Sequence, residues 1–301
     1  MWKIDLSIIL TYRNRKLIFT FFKKRIMNLL KNIVITTLCC YISSISFAQN
    51  QKNNMSIYKK DWKQVDSLIN LRKPESAKNK VIEILKKAES NQESDEILKA
   101  KYWKTALETN RENSQEYIIN TFETISNTVT NPVEKAFWQN RTANAYLAYF
   151  NNNQYNIYDR TNLDATKSTD IATWDARQFN NKICSLFMAS ISNRNILKNI
   201  PLEQYKTIID FGENTLNLRP SLYDLLMWDA IHFFQNENIE ITQPIYKFEL
   251  DDEKYFSNAN SFSQLNIQAK DSSSLKLKTI QLYQELLVHY QTSKNIDGLI
   301  D

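Results

Sequence analysis

The amino-acid sequence predicts an all-α protein, and two observations carry this prediction. Glycine occurs only at Gly212 and Gly298 in 301 residues, whereas an average usage of about 7% would give about twenty. Apolar residues recur at the spacing of amphipathic helices along most of the chain. We expect antiparallel helical hairpins stacked as a right-handed, tetratricopeptide-like solenoid.

Residues 27–48 have the three-part pattern of a secretory signal peptide. Lys31 supplies the positive start, the apolar stretch 33–45 follows, and small residues precede a predicted cleavage between Ala48 and Gln49. The apolar stretch is shorter than the roughly 20 residues that span a bilayer. We therefore expect membrane contact only before cleavage, and a mature protein in the periplasm or the outer cell envelope.

The remaining chain divides into two predicted parts. Basic residues interrupt the apolar pattern of residues 1–26, so we interpret this stretch as an upstream extension or a misassigned start, with translation from Met27. Residues 49–301 are predicted to form one helical repeat-like domain, which could divide into lobes at 49–150 and 151–301.

Five amphipathic helices are predicted in the first half of this domain. Pro74 suits the first turn of the second helix, whose apolar face comprises Ala77, Val81, Ile84, Leu85 and Ala88. The other four are expected at 58–71, 96–108, 114–126 and 132–150. The asparagine-rich residues 151–156 should end this series, and 162–168 should form a polar loop.

The second half shows a less regular pattern. We expect a helix from Thr173, as its N-cap, to Asn193, with Asp175 favourable at its positive end. A short helix from Pro201 should end at Gly212 in a left-handed conformation. Further helices are predicted at 222–235, near 252–260 and from 275 to 290, the last capped by Ser273 or Ser274.

Composition and charge disfavour several functions. Rossmann, P-loop and α/β-hydrolase sites need glycine where the backbone approaches a ligand. The net charge is +5, but residues 1–48 hold eight Lys or Arg against one Asp. Removing this +7 leaves −2 for the rest of the chain. Nucleic-acid binding depends on clustered cations, so we expect no nucleic-acid partner.

The candidate reactive side chains are isolated in the sequence. Cleavage would remove Cys39 and Cys40 and leave Cys184, which we interpret as a small buried hydrophobe rather than a reactive thiol. His232 and His289 lie in separate predicted helices. The acidic run 251–253 lacks the spacing of a calcium loop and suits a helix cap or a solvated loop. We therefore predict no metal, cofactor or catalytic site.

Aromatic and arginine side chains cluster at three places, and these are the predicted interface positions. Such residues favour interfaces because they combine contact area with hydrogen-bonding tips, although helical repeats also use them to stack. The candidates are Tyr158, Arg160, Trp174, Arg177, Arg219 and Tyr223.

Four ordered motifs resemble one known family. IYDRT at 157–161, TWDARQF at 173–179, IPLEQY at 200–205 and LRPSLYD at 218–224 are similar to the region that precedes the macroglobulin domains in Bacteroidetes alpha-2-macroglobulin-like proteins. DWKQVDSL at the start of the domain and LYQELL near its end fit the same pattern, so the resemblance covers essentially all of the predicted mature chain.

The resemblance implies an exported protein whose full-length relatives trap or inhibit proteases with a string of β-sandwich domains, some through a Cys-Glu-Gln thioester. This sequence has neither β-sandwich patterning nor that thioester motif. The resemblance therefore implies a truncated or split product, whose helical module docks to macroglobulin-type domains or to an envelope protein.

Three interpretations remain open at this point. The first is the interaction module of a protease-inhibitor-like protein, and the second is a stand-alone tetratricopeptide-like scaffold in a cell-envelope complex. The third, an enzyme of unfamiliar type, is disfavoured by the lack of glycine loops and clustered ligands.

Overall fold

A computed structural model describes residues 58–108, 112–160, 170–236, 248–270 and 274–300. All regular structure within these ranges is helical, so the all-α prediction is confirmed. None of the helices described is both long and apolar enough to cross a bilayer. The predicted leader with its Ala48–Gln49 cleavage site and the predicted polar loop at 162–168 lie outside these ranges.

The α-helices of the described ranges are numbered in chain order. Residues 58–70 form α1, and the later helices are α2 (Pro74–Asn91), α3 (Ser94–Ala106), α4 (Ser114–Thr128), α5 (Pro132–Tyr158), α6 (Ala176–Ser190), α7 (Arg194–Leu197), α8 (Thr215–Leu218), α9 (Leu222–Phe234), α10 (Ala259–Ser263), α11 (Leu275–Ser293) and α12 (Ile296–Ile300). Short 3-10 turns occur at Ile171–Thr173, Leu202–Tyr205 and Glu253–Phe256.

The contacts divide the chain into two units, 1–64 and 65–301. The first unit contributes only residues 58–64, the opening of α1, to the described part. Within the second unit, α2 packs on α3, α4 on α5, and α5 on α6, after which α6 packs on α9 and α9 on α11. The connections 92–93 and 129–131 are short, as between antiparallel neighbours.

Helix α2 confirms the simplest periodicity prediction. Pro74 is its first residue, and its predicted apolar face is the buried face, comprising Ala77, Val81, Ile84, Leu85 and Ala88. The sequence predicts the stripe Ile97, Leu98, Tyr102 and Ala106 for the next helix. This is wrong in part, because α3 buries Leu98 but leaves the other three only partly buried. Its contacts with α4 are sparse, so one flank of α3 stays accessible.

Helix α5 continues through the asparagine-rich residues 151–156, so the prediction that they end the helix is wrong. Asparagine is a weak helix former, but Ile157 is completely buried beyond the tract. The Asn153 side-chain amide also donates to the carbonyl oxygen of Tyr149 at 2.9 Å. The same helix crosses the point between 150 and 151 where a division into lobes was predicted.

Two helix boundaries also differ from the predictions. Asp175, not Thr173, is the N-cap of α6, and it forms a reciprocal capping box with Gln178. Gly212 does not adopt a left-handed conformation, and the predicted helix from Pro201 is only the 3-10 turn Leu202–Tyr205. Ser274 caps α11 as predicted, accepting a hydrogen bond from the Leu277 amide.

Helix α9 lies at the centre of the core. The sequence predicts a core face of Leu225, Leu226, Ala230, Phe233 and Phe234 for this helix. All of these are buried except Leu225, which is partly buried, and Leu222, Tyr223, Met227 and Ile231 are buried as well. A helix that is apolar on nearly all sides is typical of a protein interior. Helices α6, α7 and α11 accordingly all contact α9.

Candidate functional site

The first predicted interface cluster is a joint between helices. The Arg160 guanidinium donates from Nη1 to the carbonyl oxygen of Trp174 at 2.6 Å. The Trp174 ring stacks on that of Tyr146, with centroids 5.6 Å apart and an interplanar angle of 3°. Tyr158 is 45% exposed and meets the Phe150 ring edge-on. Arg160 and Trp174 therefore hold the end of α5 to the segment that precedes α6.

The remaining predicted interface residues differ in how deeply they are buried. Tyr223 is completely buried, and its hydroxyl donates to Glu285 Oε1 at 2.5 Å. The prediction that Tyr223 is a surface interface residue is therefore wrong, because α9 lies at the centre of the core. Arg177 is exposed on α6, and the Arg219 guanidinium lies over the Trp228 ring, 4.5 Å from its centroid.

Trp228 lines a pocket that was not predicted from the sequence. A cavity of about 470 Å³ lies among α9, α10, α11 and α12. Its lining is mainly apolar and aromatic, including Trp228, Tyr255, Phe262, Tyr283, Tyr290 and Leu299. Sites that bind other molecules are commonly concave and apolar with a few polar groups. We call this cavity the aromatic pocket.

Hydrogen bonds hold the rings of the aromatic pocket in place. The Trp228 indole donates from Nε1 to the Tyr290 hydroxyl at 3.4 Å, and the Gln235 side-chain amide donates to the Tyr283 hydroxyl at 2.5 Å. The Gln284 side-chain amide donates to the carbonyl oxygens of Phe262 and Leu265, both at 2.8 Å. The Gln284 bonds hold α10 and the nearby Leu265 against α11, and the other two bonds join α9 and the residue after it to α11.

One exposed apolar side chain lines the aromatic pocket, and three others lie within two residues of the pocket lining in the sequence. Phe256 is 74% exposed and lies between the pocket residues Tyr255 and Ser257, while Ile300 is 80% exposed and lines the pocket itself. Val288 and Ile296 are also exposed, at 43% and 67%. We call Phe256, Val288, Ile296 and Ile300 the apolar rim.

A polar network at the start of α9 resembles a hydrolase site only in composition. The Ser221 hydroxyl donates to Asp224 Oδ2 at 2.7 Å, and His289 Nε2 lies 3.3 Å from Asp224 Oδ1. In a serine-hydrolase triad the histidine lies between the serine and the carboxylate. Here the aspartate lies between them, so His289 is not placed to take the serine proton. Ser221 and Asp224 instead form the capping box of α9.

The other candidate reactive groups are the cysteine, the acidic run at 251–253 and the remaining histidine. Burial raises the pKa of the Cys184 thiol to about 11, which favours the unreactive thiol form. Asp252 accepts a hydrogen bond from the Lys254 amide as the cap of a 3-10 turn. His232 is exposed on α9. Across the described ranges, no group of three or more His, Cys, Asp or Glu side chains is arranged to hold a metal ion.

The structure thus separates the predicted interface residues into distinct places. Arg160 and Trp174 act together at the joint between α5 and α6, whereas Arg219 lies beside the aromatic pocket through Trp228. No protein-family model, curated protein or solved structure matches the chain. The resemblance to the macroglobulin family stays a prediction from the sequence motifs.

Proposed function

We propose that this chain is a non-catalytic protein-interaction module that is exported to the periplasm or the outer cell envelope. One observation carries the docking part of the proposal: the aromatic pocket is lined by the exposed Ile300, and the other residues of the apolar rim lie within two residues of its lining in the sequence. Export rests on the predicted signal peptide at 27–48.

Docking would remove costly apolar surface from water. Exposed apolar side chains that gather around a pocket commonly mark protein interfaces, and aromatic residues supply much of the energy in such interfaces. The Phe256 ring and the Ile300 side chain would lie against the partner, and an apolar side chain of the partner would enter the pocket. Arg219, stacked on Trp228, adds a charged group close to the same surface.

The proposed partner is a macroglobulin-type domain of a bacterial alpha-2-macroglobulin-like protease inhibitor. Two observations support this choice of partner. They are the four sequence motifs between 157 and 224 and the exposed apolar rim of the helical fold. A tetratricopeptide-like solenoid is the proposed arrangement for this module, supported by the sequential packing of α2 to α6.

A binding measurement with matched double variants tests this proposal. The full chain is titrated against a purified macroglobulin-domain protein from the same bacterium by calorimetry. Replacing Phe256→Ser together with Ile300→Asp should weaken binding by about 2 kcal/mol or more, about 30-fold in Kd, because interface anchors commonly carry that much.

The control changes exposed side chains of the same types away from the pocket. Tyr155 on α5 is 79% exposed and Ile196 on α7 is 45% exposed, and neither lines the aromatic pocket. Tyr155→Ser together with Ile196→Asp should leave Kd unchanged within about twofold, a difference below 0.5 kcal/mol. Equal weakening by both double variants, or no binding by the parent chain, would refute the proposed docking.

The second candidate is a stand-alone tetratricopeptide-like scaffold in a cell-envelope complex. It shares the helical packing and the apolar surface, and it differs only in the partner. Crosslinking in intact cells from a photoreactive residue at position 256, followed by mass spectrometry, separates the two. Crosslinks to an envelope protein without macroglobulin domains would favour the scaffold.

A further inference from the structure

A groove is formed by the early helices α2 to α5, whereas the aromatic pocket is formed by α9 to α12. It lies between α3 and α4, has a volume of about 620 Å³, and shares no lining residue with the aromatic pocket. Its walls and floor come from α2 to α5, and its lining includes Leu85, Ile97, Leu98, Lys101, Lys104, Thr105, Tyr117, Thr121, Ile125, Thr128 and Trp138. The sparse contacts between α3 and α4 leave it open.

The groove has the length of a short extended peptide. Its α3 wall runs from Ser94 to Thr105 and its α4 wall from Tyr117 to Thr128. At a rise of 1.5 Å per residue, each wall is about 16 Å long. An extended peptide of about five residues covers the same distance at about 3.3 Å per residue.

The floor of the groove is apolar. Trp138, Leu98 and Leu85 lie there with exposed fractions of 1%, 8% and 9%. Ile97 and Ile125 flank them and are only partly buried. An apolar side chain near the middle of a bound peptide would complete the burial of these two isoleucines.

The threonine hydroxyls of the walls are arranged as hydrogen-bond acceptors. Thr121 donates its hydroxyl proton to the carbonyl oxygen of Tyr117 at 2.8 Å, and Thr105 donates to that of Lys101 at 3.1 Å. Thr128 likewise donates to its own helix. A hydroxyl has a single proton to donate but two lone pairs. These oxygens are therefore left to accept, which suits the backbone N–H groups of an extended peptide.

The two ends of the groove carry opposite charges. Helices α3 and α4 follow one another, so the turn at 92–93 and the connection at 129–131 lie at the same end. Glu89 and Glu134 line this end, whereas Lys101 and Lys104 lie toward the other. None of these four side chains makes an ion pair within the described part of the chain.

We infer that this groove binds an extended peptide segment of a partner protein, with a Lys or Arg at one end, an Asp or Glu about four residues away, and an apolar residue between. The cationic side chain pairs with Glu89 and Glu134, and the carboxylate pairs with Lys101 and Lys104. The carboxylates disfavour a polyanion, whose phosphates would be repelled at that end. This site does not depend on docking at the aromatic pocket.

The experiment uses labelled peptides and the full chain, with fluorescence anisotropy as the readout. The probe is Lys-Ser-Leu-Ser-Glu with blocked termini, and the comparison peptides are Lys-Ser-Leu-Ser-Lys and Lys-Ser-Ser-Ser-Glu. The parent chain should bind the probe at least about threefold more tightly than either comparison peptide, because the first sets an ammonium group against Lys101 and Lys104 and the second lacks the apolar anchor.

Charge reversal makes the inference falsifiable. Lys101 and Lys104 are exposed, so a chain with both Lys101→Glu and Lys104→Glu should keep its circular dichroism spectrum. Its preference should invert, with Lys-Ser-Leu-Ser-Lys now bound at least about threefold more tightly than the probe. An unchanged preference, or no binding of the probe to the parent chain at millimolar concentration, would overturn the inference.

Discussion

The Asn295 side-chain amide donates from Nδ2 to the carbonyl oxygen of Leu218 at 3.1 Å, which joins α12 to the end of α8 across 77 residues of sequence. Asn295 Oδ1 also accepts a hydrogen bond from the Gly298 amide at 3.0 Å. The same amide side chain thus caps α12 and attaches it to α8. Because Leu299 and Ile300 line the aromatic pocket, this contact helps to set the shape of the pocket.

Gly298 should be the less replaceable of the two glycines. An added Cβ at this position would lie 2.9 Å from the Leu218 carbonyl oxygen, a backbone atom that cannot move aside easily. Gly298→Ala should therefore destabilise the fold by about 1–3 kcal/mol, as measured by urea unfolding. At Gly212 the nearest contact of an added Cβ is 3.5 Å, so Gly212→Ala should cost nothing. Equal losses would contradict this explanation.

Asp175 should matter more than Thr173 for the stability of α6. The Asp175 carboxylate accepts from the Gln178 amide at 2.8 Å, and the Gln178 side chain accepts from the Asp175 amide at 3.0 Å. Asp175→Ala should cost about 1 kcal/mol in free energy of unfolding, a typical loss for an N-cap. Thr173→Ala removes only an exposed hydroxyl contact and should cost less than about 0.5 kcal/mol. A larger loss of stability for Thr173→Ala than for Asp175→Ala would mean that Thr173 is the N-cap.

Buried tyrosines should make the fold sensitive to alkali. Burial raises the pKa of Tyr205 to about 12, and burial together with the adjacent Glu123 carboxylate raises the pKa of Tyr146 further. Both rings therefore favour the neutral form in the folded state. Their contribution to stability is complete below the unfolded-state pKa of about 10 and is lost as the pH rises above it.

Urea unfolding between pH 8 and pH 11.5 measures this loss. The parent chain should lose stability above about pH 10, and Tyr205→Phe should lose less over the same range. A parent chain with constant stability up to pH 11.5 would show that these rings ionise as freely as in the unfolded chain.

Cys184 should react slowly in the folded protein. Its Sγ lies 3.4 Å from Asn180 Oδ1, and burial raises its pKa to about 11. With Cys39 and Cys40 replaced by serine, the folded chain should react with a disulfide reagent at pH 8 at least about tenfold more slowly than the urea-unfolded chain, because the thiolate is the reacting form. Equal rates would mean an accessible thiolate.

Local periodicity predicted those elements that pack on a single side. In α2 the buried residues are those of the predicted apolar face, because this helix buries only one side. The same is not true of α3, since the groove beside α4 leaves Ile97 accessible while Glu96 and Thr105 are buried. The extension of α5 to Tyr158 depends on the burial of Ile157 in the tertiary structure, which no local pattern contains.

The candidate sites depend even more on tertiary contacts. Tyr158 and Tyr223 occur in similar aromatic and arginine clusters, yet one is 45% exposed and the other is completely buried. The central position of α9 makes this difference. The aromatic pocket combines helices that are separated by tens of residues. Two of its rings, Tyr283 and Tyr290, come from α11, seven residues apart.

Hydrogen–deuterium exchange of the full chain, with and without a bound macroglobulin-domain protein, tests docking at the aromatic pocket most directly. Burial of the pocket and the apolar rim predicts slower exchange of backbone amides at 253–263 and 287–300 in the complex. Exchange at α2 should not change. Protection confined to α2 and other segments that do not line the pocket would contradict the proposed docking surface.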